Sequence, residues 1–93
     1  MPEFLLELYV PRTAAHSARR GAESARAAAD ELSLAGTPVR FLHSIFVPED
    51  ETCFYLFEAR VAHAVREVAG RAALPAGRVA KAVSYPQSHS TSR

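Results

Sequence analysis

The chain has few of the residues that mark small disulfide-rich or metal-rich modules. Its 93 residues include one cysteine, one methionine, four glycines and no tryptophan. A single cysteine excludes an intrachain disulfide and a cysteine-rich zinc module. No apolar run approaches the ~20 residues that a membrane-spanning helix needs, and no basic segment followed by an apolar one opens the sequence. We therefore expect one domain in a cytoplasmic protein that has no contact with a membrane.

An excess of charge of either sign is also lacking. Eleven Lys and Arg residues stand against ten Asp and Glu residues, which leaves a net charge of +1. Binding to several phosphates needs a basic surface, so this balance argues against nucleic acid as a partner. The sequence contains no glycine-rich phosphate loop, zinc-protease motif or nucleophile-elbow motif. These absences argue against the best-known nucleotide-binding and hydrolase families.

Hydrophobic periodicity predicts six elements in the order β-α-β-β-α-β. We expect strands at residues 3–10, 39–47, 52–58 and 78–85, and helices at residues 14–34 and 61–74. Thr13 is the predicted N-cap of the first helix and Gly36 its terminator. Residues 86–93 contain no hydrophobic side chain, so we predict a domain of residues 1–85 followed by a disordered C-terminal tail.

This order is typical of the ferredoxin-like α+β fold, in which two helices cover one face of a four-stranded antiparallel sheet. The first and third strands are then central. Leu5 and Tyr9 lie on the opposite side of the first strand from Phe4, Leu6 and Leu8, so the face without helices is apolar too. Soluble monomers rarely expose so large an apolar patch. We expect a homodimer that pairs the two open faces; the alternatives are a monomer, or C-terminal segments folded across the sheet.

Glu7 is the most informative polar residue, because it lies in an apolar central strand where a carboxylate is costly unless it is paired or neutralised. We predict a pocket between the two sheets of the dimer; its residues are Glu7, Tyr9, His43, Tyr55 and Glu58. Glu7 and His43 are the candidate metal ligands. The alternatives are a salt bridge from Glu7 to an arginine at the dimer rim and a packing role for His43.

Topology limits what these residues do together. Glu7 and His43 lie two strand spacings apart, roughly 9–10 Å, so one metal ion reaches both only with help from a partner chain. A row Glu7–Tyr55–His43 depends on the hairpin register, which the sequence leaves open. Cys53 is expected to act as a small buried hydrophobe. The remaining histidines are expected to be surface or tail residues: His16, His63 and His89.

The hairpin and second helix resemble a known family. The segments Arg40-Phe-Leu-His-Ser-Ile-Phe-Val, Glu51-Thr-Cys-Phe-Tyr-Leu-Phe-Glu-Ala and Ala64-Val-Arg-Glu-Val-Ala-Gly-Arg-Ala-Ala-Leu-Pro look like a family of small bacterial proteins of unassigned function that are often labelled nickel-binding. The resemblance covers about residues 3–83 and implies a dimeric ferredoxin-like protein. This chain differs by having Tyr55 where the family often has cysteine, and Arg60-Val61 where Pro-Ser usually opens the second helix.

Three hypotheses about function follow. The preferred one is a dimeric accessory protein whose inter-sheet pocket binds a divalent metal such as nickel, or a small ligand. The first alternative is a cofactor-free enzyme of the dimeric α/β-barrel type, a monooxygenase, isomerase or cyclase that uses Glu7, His43 and Tyr55. The second alternative is an interaction module without a ligand.

Overall fold

The structure, a computed structural model, describes residues 1–75 and 77–85. Four strands and two helices follow one another in the predicted order: β1 Glu3–Tyr9, α1 Ala15–Leu34, β2 Val39–Val47, β3 Thr52–Ala59, α2 Ala62–Arg71 and β4 Arg78–Ala82. A turn of 3-10 helix, Pro48–Asp50, joins β2 to β3. The predicted disordered tail, residues 86–93, lies outside the described residues.

All strand pairs are antiparallel, and the sheet order is β2-β3-β1-β4. The central strands are therefore β1 and β3, as predicted from their apolar sequences. This arrangement confirms the ferredoxin-like α+β fold.

The core lies between the sheet and the two helices. Phe4, Leu6 and Leu8 are buried on the helix side of β1, and every second residue of β3 from Cys53 to Ala59 is buried beside them. The helices contribute mostly small residues to the core: Ala18, Ala25, Ala28, Ala29 and Leu32 from α1, and Ala64, Val65 and Val68 from α2. Small side chains let α1 lie close to the sheet.

One small residue of α1 is required by a contact with the sheet. A Cβ added at Gly21 would overlap the hydroxyl oxygen of Tyr55, which donates a hydrogen bond of 2.7 Å to the carbonyl oxygen of Ala18. Gly21 therefore leaves the space in which the Tyr55 hydroxyl reaches the helix backbone.

Both helices end in a Schellman motif, in which amides beyond the helix bond to carbonyls of its last turn. In α1 the amide of Thr37 bonds to the carbonyl of Leu32, and Gly36 supplies the positive φ of 102°. In α2 the amide of Leu74 bonds to the carbonyl of Ala69, and Ala73 takes the left-handed position with a φ of 56°.

Three predicted boundaries were wrong. Ala14, not Thr13, is the N-cap of α1, and no side chain caps the helix there. The second helix ends at Arg71 rather than near residue 74, because its terminating turn uses Ala73 and precedes the expected signals at Pro75 and Gly77. The last strand ends at Ala82 rather than at residue 85. Ala82 pairs with Glu3, the first residue of β1, so residues after Ala82 have no β1 residue with which to pair.

Strand β2 contains an irregularity that decides which side chains face which way. Its register with β3 shifts between Phe41 and His43, which leaves Leu42 without a directly paired residue. Residues directly opposite one another in an antiparallel pair lie on the same face of the sheet. The extra residue therefore puts Phe41 on the helix side and His43 on the other side, although both are odd-numbered.

Candidate functional site

The sheet face opposite the helices is largely apolar and bears four of the predicted site residues: Glu7, Tyr9, His43 and Glu58. We call this surface the open face. The pairing register places eight apolar residues on it: Leu5, Tyr9, Ile45, Val47, Phe54, Leu56, Ala80 and Ala82. Among the described residues, Tyr9 and Ile45 of this surface are 65% and 51% exposed, whereas Leu56 is 9% exposed. A contiguous apolar face of this kind marks an interaction surface or a binding groove.

Glu7 lies on the open face, between Phe54 of β3 and Arg78 of β4. Its Oε1 atom is 3.4 Å from Nε of Arg78, and the side chains of Glu7 and Arg78 are 41% and 75% exposed. The carboxylate is therefore half-exposed and already paired within its own chain. The arginine that pairs with Glu7 is therefore Arg78 of the same chain, and not an arginine at a dimer rim, as one of the sequence-based alternatives had it.

A signal for Arg78 was present in the sequence. It begins the last strand and shares its alternation with Ala80 and Ala82, so strand pairing alone puts it on the open face. Gly77 precedes it, and a Cβ at that position would overlap the carbonyl oxygen of Glu7. The close approach of Gly77 to β1 positions Arg78 beside Glu7.

His43 is exposed on the open face, opposite Leu56. Glu7 pairs with Phe54, so Glu7 and His43 differ by two strand spacings and by one two-residue step along β3. From standard strand dimensions their Cα atoms are roughly 12 Å apart. Within one chain the two side chains lie on the same face but do not meet.

Tyr9 and Glu58 lie at opposite ends of the open face. Tyr9 pairs with Thr52 next to the hairpin turn. Glu58 lies between Glu3 and Arg40, and its Oε1 atom is 3.8 Å from Nε of Arg40. Tyr9 borders the same surface depression as Glu7, together with Thr52 and Arg78, whereas Glu58 is not part of it.

Tyr55 does not belong to this surface. It lies on the helix side, where its ring is buried and its hydroxyl is bonded to α1. Burial raises the pKa of Tyr55 far above its usual range, and the neighbouring Cys53 adds to the shift. The row Glu7–Tyr55–His43 does not form, because the β1–β3 register pairs Tyr55 with Leu6 on the helix side, whereas Glu7 pairs with Phe54 on the open face.

Cys53 is also on the helix side, fully buried, and burial raises the pKa of its thiol. The thiol is consequently directed away from Glu7 and His43. His16 and His63 are exposed, and Nε2 of His63 is 3.9 Å from Oε1 of Glu67. His89 lies beyond the described residues.

Most of the chain is similar in sequence to a described protein family. The family model described as Nickel responsive protein SCO4226-like matches residues 4–81. The chain belongs to this family. The match covers both helices and the whole sheet apart from Glu3 and Ala82, and it confirms the resemblance seen in the hairpin and second helix. No curated protein and no solved structure matches the chain.

The name of the SCO4226-like family raises the question of whether one chain provides a metal site. Over residues 1–75 and 77–85, no group of three or more His, Cys, Asp and Glu side chains is arranged to hold a metal ion. Glu7, His43 and Glu58 do not form such a group because they lie at three different levels along β3: beside Phe54, beside Leu56 and at position 58 itself. Within the described part of one chain, these side chains therefore do not provide a metal site of three ligands.

Across the same residues, neither helix combines the length and apolar character required to cross a bilayer.

Proposed function

We propose that this SCO4226-like protein is a homodimeric accessory protein of the cytoplasm that binds a divalent metal, nickel being the first candidate, between its two sheets. The supporting observation is the open face, where Glu7 and His43 lie among apolar side chains that include the exposed Tyr9 and Ile45. Stacking two such faces about 10 Å apart would bury the apolar side chains of both subunits. Nucleic acid and membranes are not partners in this proposal.

The topology supports a site shared between subunits. Strand β3 runs between Glu7 and His43, and the midpoint of these two residues falls on β3 between Phe54 and Leu56. A two-fold axis that lies between the two stacked sheets, parallel to them, and that crosses the line from Glu7 to His43 at right angles at this midpoint would bring Glu7 opposite His43 of the partner subunit. The same axis produces the reciprocal pair, so the dimer would contain two equivalent sites.

The ligand chemistry supports weak binding by a borderline metal. Imidazole suits nickel, copper and zinc, whereas the carboxylate adds charge but little selectivity. Each site would have two protein ligands, and water would complete the coordination. The thiol that would strengthen such a site is on the other face of the sheet, and Arg78 competes for the Glu7 carboxylate.

Nickel titration followed by calorimetry tests the proposal. We expect binding to the native protein, and loss of binding in both Glu7→Ala and His43→Ala. A mixture of the two variants is the decisive sample, because an exchanged heterodimer keeps one intact site and loses the other. In an equimolar mixture about half of the dimers are heterodimers, so recovery of about a quarter of the native stoichiometry supports a shared site. Unchanged binding by either single variant, or no recovery on mixing, contradicts it.

The alternative functions fare differently. For the enzyme hypothesis, Tyr55 is no longer a candidate catalytic residue because it is buried on the helix side. Glu7 and His43 are the candidate residues that remain. The interaction module without ligand is favoured by one observation, the ion pair that already satisfies Glu7. If nickel and other divalent ions produce no heat while the protein is dimeric, the interaction module becomes the better account.

A further inference from the structure

The outer face of α1 bears a row of charges that is separate from the open face. Arg19, Glu23, Arg26 and Asp30 are all exposed and follow one another at spacings of four, three and four residues. Residues at these spacings lie on one side of a helix. We call this row the charged stripe. With Ala22, Ala27 and Phe41 of β2 it lines a groove along the side of the molecule.

The side chains of the charged stripe form no ion pair with other residues in the described ranges 1–75 and 77–85. Its pairs at a spacing of four residues, Arg19 with Glu23 and Arg26 with Asp30, have the cation nearer the helix N-terminus, which is the weaker orientation. The Arg26 guanidinium instead lies over the ring of Phe41, 5.1 Å from its centroid.

The order of charges along the stripe is symmetric in a way that suits a second copy. About the midpoint between Ser24 and Ala25, Arg19 and Asp30 are equidistant, and so are Glu23 and Arg26. Each residue of the stripe is thus related by this midpoint to a residue of opposite charge. The positions flanking the central pair, Ala22 and Ala27, are equidistant as well, and both are small.

We propose that the charged stripe is a second self-association surface, on which α1 packs antiparallel against α1 of another copy. A two-fold axis at the midpoint would pair Arg19 with Asp30 of the partner subunit and Glu23 with Arg26 of the partner subunit. The symmetry repeats each pair, which makes four opposite-charge contacts from one surface. Ala22 and Ala27 lie on either side of the stripe and are too small to obstruct this contact, and antiparallel packing opposes the helix dipoles favourably.

This surface is independent of the proposed open-face dimer. Helix α1 lies on the opposite side of the sheet, so both contacts are available to one molecule at once. Together they would join dimers into larger assemblies. Contacts between exposed charges are weak and are screened by salt. We therefore expect association through α1 at high protein concentration and low ionic strength.

Charge exchange tests the proposal by sedimentation equilibrium at low salt. Glu23→Arg would face Arg26 of the partner subunit, and Arg26→Glu would face Glu23 of the partner subunit. Each variant is expected to weaken the salt-sensitive association step by about tenfold or more. The double variant Glu23→Arg/Arg26→Glu restores opposite pairs and is expected to return to the native association constant within about threefold. Arg20→Glu, an exposed change outside the stripe, serves as the control.

Mixing gives the sharpest outcome. Neither Glu23→Arg nor Arg26→Glu alone is expected to show the salt-sensitive association. A mixture of the two variants is expected to show it again, because every contact between the two different chains is between opposite charges. Circular dichroism of each variant separates this effect from helix loss, since a partly unfolded helix is not repaired by a second variant. Equal association of all variants, loss with Arg20→Glu, or no recovery on mixing overturns the proposal.

Discussion

Substituting Gly21 tests the placement of Tyr55, on which the description of the open face depends. In most exposed helix positions, Gly→Ala stabilises a protein by up to ~1 kcal/mol through helix propensity. Here the added methyl group would overlap the Tyr55 hydroxyl oxygen, and the hydrogen bond of 2.7 Å to Ala18 would have to open. Other neighbours of the new methyl group, at 3.4 Å, are Cζ of Tyr55 and Cδ2 of Leu74.

These effects have opposite signs, and their sizes decide the outcome. Overpacking a core costs about 1–3 kcal/mol, and a lost buried hydrogen bond adds about 1 kcal/mol. After the propensity gain is subtracted, Gly21→Ala is expected to lower the free energy of unfolding by about 1–3 kcal/mol. In Tyr55→Phe the overlapping oxygen is gone. In that background the same Gly21→Ala change is expected to stabilise the protein by up to ~1 kcal/mol.

Urea unfolding of the four proteins, at one protein concentration, measures this double-mutant cycle. The predicted coupling energy is about 2 kcal/mol or more, with a change of sign between the backgrounds. If Gly21→Ala stabilised the native protein, or had the same effect in both backgrounds, Tyr55 would not contact α1. The placement of Tyr55 outside the open face would then be refuted.

Three further predictions concern single residues. Ala73→Gly relieves a left-handed φ of 56° at an exposed position, so we expect a gain of about 0.5–1 kcal/mol in thermal unfolding; a loss would contradict the αL assignment. Glu7→Leu breaks a half-exposed ion pair of low value and adds apolar surface to the open face, so thermal stability is expected to stay equal or rise while nickel binding is abolished. Marked destabilisation with binding intact would make Glu7 a structural residue. Burial and the raised pKa keep the Cys53 thiol protonated and covered, so alkylation by iodoacetamide at pH 8 is expected to be at least about 100-fold slower than in urea; equal rates would show that the helix side of β3 is open.

The sequence was sufficient to predict the element order, the central strands and the apolar open face. Each of these follows from the spacing of hydrophobic residues along the chain, and tertiary contacts do not change which side of a strand those residues occupy. Leu5 and Glu7 face away from Phe4, Leu6 and Leu8 for that reason. Helix ends were less predictable. The α2 terminus depends on Ala73 adopting a conformation that glycine or asparagine normally signals.

The details of the site depend on one residue that periodicity does not reveal. The bulge at Leu42 changes the facing of every later residue of β2, and no glycine marks it. Without it, His43 would lie on the same side as Phe41. The face of Tyr55 was ambiguous because both alternations of β3 are apolar; its pairing with Leu6 and its hydrogen bond to Ala18 place it on the helix side. The partnership of Glu7 with Arg78 needed the β1–β4 register, which joins residues 71 positions apart.

The open face as a homodimer interface is the central claim, and the mass of the protein in solution tests it most directly. Sedimentation equilibrium at low micromolar concentration and 0.3 M salt, where contacts between exposed charges are screened, is expected to give twice the chain mass of 10.1 kDa. Ile45→Lys, at a position of the open face that is 51% exposed, is expected to give the monomer. Leu34→Lys, at a 90% exposed position at the end of α1, is the matched control and is expected to remain dimeric. A monomeric native protein, or an Ile45→Lys variant that is still a dimer, would contradict the account.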